Sequence, residues 1–135
     1  MKYFAMLTGA FLLCAASACK KSASVNPVSD DITGSWRWVR SQGGIAGNTL
    51  TPATVGYNQT QIYGADSTLK MYKNDTLKMQ GRFYIQRNVQ YRGEIVDLLK
   101  IADQPGRSLV IRNDTLYTYD VMIDDGYGSV YARIR

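Results

Sequence analysis

The chain has 135 residues, 16 basic against 11 acidic side chains, two cysteines and no histidine. Without histidine it lacks the usual general base, the usual zinc ligand and any Ser-His or Cys-His nucleophile pair. Its basic residues are scattered (Arg37, Lys70, Lys78, Arg82, Arg92, Arg112) rather than grouped as a nucleic-acid footprint, which excludes nucleic acid as a partner.

The N-terminus has the three parts of a secretion signal. Met1-Lys2 carries one positive charge, Tyr3 to Leu13 is uncharged and mostly apolar, and Ala15-Ala16-Ser17-Ala18 are all small. The apolar run is about half of the ~20 residues that a spanning helix needs, so a permanent transmembrane anchor is not expected. Ala16-Ser17-Ala18-Cys19 resembles the lipobox of bacterial lipoproteins, departing from it at Ala16, where that family has Leu. The resemblance implies removal of residues 1–18 and acylation of Cys19. The alternative is an ordinary cleaved signal with Cys19 beside the cut. Cys14 lies inside the signal, so no disulfide is expected in the mature domain. Losing Lys2 with the signal takes the basic count from 16 to 15 against 11 acids, a mildly basic balance.

Residues 20–30 are polar and small, with Pro27 among them, and read as a flexible tether that completes a 19–30 linker. Residues 31–135 form one domain. Leu77, Met79, Phe83 and Ile85 alternate with Lys78, Gln80, Arg82, Tyr84 and Gln86, a period of two that predicts a sheet with one dry face. Gly81 falls on that dry face. Lys73-Asn-Asp-Thr-Leu77 and Arg112-Asn-Asp-Thr-Leu116 repeat one hairpin signal, because Asn and Asp tolerate left-handed backbone. Further turns are read at 64–66, 87–88, 103–106 and 124–126. The strands between are 34–41, 57–63, 67–73, 76–86, 89–101, 108–113, 115–121 and 127–134. Eight strands with no helical pattern between them predict an all-β, antiparallel up-and-down barrel or a small sandwich. Gln42–Val55 is Gly-rich and carries Ile45, Leu50 and Val55; it reads equally as a lid or as an irregular crossover.

Gly34-Ser-Trp36 opens the first strand and resembles the lipocalin signature. Gly43-Gly44, Thr51-Pro52, Tyr57, Asn74–Leu77 and Tyr131-Ala-Arg133 follow in an order similar to that of the small lipocalin-like lipoproteins of Bacteroidetes. This resemblance implies a lipocalin-like barrel, without the C-terminal helix of standard lipocalins. It also implies that Trp36 sits at the closed end under a basic residue, Arg133 or Arg135, with Gly34 in the same structural closure. Lys20-Lys21 and the absence of an acidic cluster after Cys19 differ from the surface-export signal of many such lipoproteins, so an outer-membrane lipid anchor facing the periplasm is expected.

Trp38, Tyr57, Tyr63, Met71, Met79, Phe83, Tyr117 and Tyr119 are read as inward-facing. Such residues either line a cavity for a small hydrophobic ligand or fill the barrel outright. Glu94 and Asp97 lie three apart and so on opposite strand faces, Asp124-Asp125-Gly126 reads as a turn, and Asp120 has no identifiable partner. No cofactor or metal motif is present, and no enzyme is expected. Two functions follow: binding of a hydrophobic ligand in a hollow barrel, or a protein–protein interaction module with a solid one. For the anchor, Cys19→Ala is expected to abolish incorporation of a fatty-acid label and to shift the protein from membrane to soluble fractions. Undiminished labelling of that variant would show the lipid to be elsewhere.

Overall fold

A sheet that is dry on one face must bury that face, and closing it on itself does so without leaving a free edge. The computed structural model describes residues 31–135. The expected signal, Cys14, Cys19 and the tether lie outside the described residues.

The elements are β1 (Gly34–Gly43), β2 (Asn48–Leu50), α1 (Pro52–Val55), β3 (Gln59–Tyr63), β4 (Thr68–Lys73), β5 (Thr76–Tyr91), β6 (Glu94–Ile101), β7 (Arg107–Arg112), β8 (Thr115–Asp120) and β9 (Tyr127–Ile134). From β3 to β9 each strand pairs antiparallel with the next, and β1 pairs with both β3 and β9, closing an eight-stranded barrel. The short β2 folds back on the end of β1. Residues 31–33, the 64–67 and 113–114 turns and the end of β9 make up the lower end. The connection from β1 to β3, the β4–β5 and β6–β7 turns and the 121–126 loop make up the upper end.

The lower end is shut by one cluster. Trp36 is fully buried and its indole N–H donates to the carbonyl of Ile32 at 2.7 Å. The Arg133 guanidinium lies 4.1 Å over the Trp36 ring and donates to the carbonyls of Thr33 (2.8 Å) and Asp31 (2.7 Å). Gly34 is required there. Its φ is +120°, and a Cβ would come within 3.1 Å of the Arg133 guanidinium. Arg135 instead points to solvent, 84 % exposed, and pairs with Asp114. Arg133, not Arg135, therefore covers the tryptophan.

Three stretches differ from expectation. The Arg87–Asn88 turn is a bulge within β5, and the hairpin turns later, at Arg92-Gly93. Asn88 does adopt the left-handed φ (+54°) that suggested a turn, but the Asp97 carboxylate accepts its N–H at 3.0 Å and holds it in the strand. Leu77 does not join the dry face. Met71 pairs with Met79 while Tyr72 pairs with Leu77, so the extra residue Lys78 reverses the alternation and leaves Leu77 46 % exposed. The Gln42–Val55 connection holds the short helix α1, with Thr51 as N-cap, Pro52 in the first turn and left-handed Gly56 as C-cap. Leu50 and Val55 fold down onto the core, whereas Ile45 stands 93 % exposed.

Arg133→Met removes a cation over an indole and two charge-assisted hydrogen bonds and is expected to cost about 2 kcal/mol. Arg135→Met is expected to cost less than about 0.5 kcal/mol. Urea denaturation of both variants measures the difference, and equal losses would contradict this assignment of the closure.

Candidate functional site

The interior holds side chains in layers. Tyr63 stands edge-on to Phe83, with ring centroids 5.0 Å apart, beside buried Leu69, Leu99, Ile111 and Leu116. Above them lies a polar layer. The Tyr63 hydroxyl donates to Gln61 Oε1 (2.7 Å), and Gln61 Nε2 donates to the Tyr131 oxygen (3.1 Å). Ser129 stands two residues from Tyr131 on β9, and Ser41 and Ser129 share a bond of 2.7 Å. The Trp38 indole donates to Ser41 at 2.9 Å. Ser41 reaches this position because the bulge at Val39 shifts the alternation of β1 by one residue. Every buried side-chain nitrogen and oxygen among the described residues has a partner. A molecule entering this layer would have to break these bonds before bonding to any of its groups.

At the upper end Trp38 stacks on Tyr57 at 6.0 Å, and Lys73 Nζ lies 3.7 Å over the Tyr57 ring. Met71 and Met79 pair across β4 and β5 and are half-buried against the core. Opposite them Arg107 and Asp120 form an ion pair at 2.8 Å, and Asp120 also accepts the Tyr127 N–H at 3.1 Å. Asp120 thus has a partner that the sequence does not reveal, thirteen positions away on a neighbouring strand. Asp97 serves the β5 bulge, and Asp124 pairs with Arg92 in solvent.

Of the eight expected interior residues, the structure brings six together: Trp38, Tyr57, Tyr63, Met71, Met79 and Phe83 all belong to the core or pack on it. Tyr117 and Tyr119 do not. They are 42 % and 46 % exposed on the outer wall, because Leu116 and Thr118 take the inward positions of β8. Leu116 sits between Ile111 and Tyr131, both buried, and this pairing sets the phase of the strand.

Outside, the two tyrosines belong to a continuous surface. Tyr117, Tyr119, Val110, Val130, Arg40 and Gln42 wall a concavity of about 370 Å³. A cleft of about 520 Å³ adjoins it between β6 and β7, and the two share Ser108 and Val110. The four strands under this wall, β7, β8, β9 and β1, contain one carboxylate, Asp120, which is paired with Arg107. Arg37, Arg40 and Arg112 on the same strands are exposed and have no carboxylate partner among the described residues. Comparison with models of known protein families and with curated proteins gives no match.

Burial pushes the Tyr63 phenol far above its ordinary value of 10.0, reinforced by Tyr131 and opposed by Arg107. Burial raises Tyr131 as well. Both phenols keep their protons in the fold at a pH where the unfolded chain loses them. Stability is therefore expected to be flat in this respect below pH 10 and to fall above it, with Tyr63 contributing up to about 1.4 kcal/mol per pH unit. Denaturant titrations across that range test this, with Tyr63→Phe reducing the slope. An unchanged slope in that variant would exclude Tyr63 as a source.

Proposed function

We propose that this chain is a noncatalytic interaction module that works from the outside of a filled barrel. Lipid on Cys19 would hold it to the outer membrane, facing the periplasm. The observation that carries the reading is the outer wall of β7, β8, β9 and β1, where exposed Val110, Tyr117 and Tyr119 meet three unpaired arginines. Aromatic residues and arginine are enriched in protein interfaces and supply most of their binding energy. The barrel is consistent with a lipocalin-like fold, and the lipobox resemblance supports the envelope setting. The interior leaves no buried polar side-chain atom free to address a ligand among the described residues.

Binding of a small hydrophobic ligand is the second reading. The half-buried Tyr57, Met71 and Met79 at the upper end favour it. An apolar fluorescent probe displaced by lipid extract, and lost in Met79→Glu, would support it.

Photo-crosslinking in cells separates the two. A benzophenone side chain replacing Tyr117 or Tyr119 is expected to give one discrete protein adduct. The same group replacing Tyr84, exposed on the opposite wall, is expected to give none. Equal adducts from position 84, or none from 117 and 119, would overturn the interaction reading.

A further inference from the structure

The ladder between β6 and β7 is only three pairs long: Asp97 with Leu109, Leu98 with Ser108 and Leu99 with Arg107. Continued in register, it would pair Val96 with Val110, Ile95 with Ile111 and Glu94 with Arg112. None of these pairs forms. The cause is the β5 bulge. Arg87 and Asn88 together oppose Asp97, whose carboxylate holds both, and the hairpin beyond leaves the ladder with β7. Its tip rests on the 121–126 loop, where the Met122 N–H donates to the Tyr91 oxygen (3.1 Å) and Arg92 meets Asp124 at 3.3 Å. Two strand edges are left facing one cleft, and neither 94–96 nor 110–112 contains a proline that would blunt it. Ile95 and Val110 flank the cleft, 69 % and 44 % exposed.

We propose that this seam takes up an extended, acidic segment of a partner protein as an added strand on β7. The inference rests on the reading of the outer wall as a docking surface and names the form in which the partner arrives. A strand edge offers backbone donors and acceptors, and an added strand places alternate side chains on its two faces. The outward set would lie along Ile95 and Val110 and continue into the hollow beside Tyr117 and Tyr119, which shares Val110 with the cleft. Arg112 at the end of the free edge, with Arg37 and Arg40 across the same wall, favours carboxylates in the incoming segment. An anionic membrane would satisfy the arginines but would use neither the hollows nor the strand edge.

The test uses protein purified from cells expressing the full chain. The probe is the peptide Glu-Val-Thr-Ile-Thr-Val-Glu, with one analogue N-methylated at alternate residues and another carrying Lys for Glu. The parent peptide is expected to slow exchange of amides within Val110–Arg112 about tenfold. N-methylation, which keeps the side chains but removes backbone donors, is expected to lower affinity about tenfold. The Lys peptide and the Arg112→Glu protein are expected to bind more weakly at low salt. If parent and N-methylated peptides bind equally and perturb only Tyr117 and Tyr119, strand addition falls while docking on the wall stands. If neither peptide binds at millimolar concentration and 117 and 119 still crosslink in cells, strand addition again falls alone. If neither binds and phosphatidylglycerol vesicles do, the surface is a membrane-facing one and both readings fall.

Discussion

A closed sheet of eight strands is either filled by its own inward side chains or leaves room for one small ligand, so the residues sent inward decide what the domain can do. Here the inward set is large. Trp36 plugs one end under Arg133, Tyr63 and Phe83 meet in the middle, and two bonded sets, Tyr63–Gln61–Tyr131 and Trp38–Ser41–Ser129, pair the polar groups between them. Buried polar groups are stable only when paired, and once paired they also fix the packing around them. The interior thus does structural work, and the proposed docking surface lies on the wall.

Much of the framework was legible from residues alone. The repeated Asn-Asp turns are tight turns, though not identical ones: Asn74 and Asp75 both take left-handed φ, whereas in the second only Asn113 does. Gly34, Trp36 and Arg133 converge at the lower end, and a backbone rule explains the glycine. The misplacements share one physical origin. Strand alternation predicts a face only until a bulge intervenes, and Lys78, Val39 and the Arg87–Asn88 pair each insert one. None has a sequence mark as plain as a turn, and Asn88 carries the mark of a turn without making one.

Tyr117 and Tyr119 failed for a different reason. In Thr115–Asp120 one face offers Leu116 and Thr118 and the other two tyrosines, so hydrophobicity alone does not choose between them. The decision is made by neighbours, Ile111 and Tyr131, whose own phase is known only once the barrel is closed. The same closure brings Arg107 to Asp120 and joins two hollows across Val110. The outer wall is therefore a tertiary feature. Its arginines are visible in the sequence as scattered charges, and only the strand order gathers them on one side.

A function on the outer wall requires the interior to be filled by the protein itself. Methyl-resolved nuclear magnetic resonance of the purified protein under xenon pressure measures this directly, because xenon enters apolar cavities and shifts the methyl groups that line them. Methyls of Leu69, Leu99, Ile111 and Leu116 are predicted to show only the small linear shifts that pressure itself produces. A saturable xenon-dependent shift at those methyls would reveal a hollow barrel and return the function to its inside.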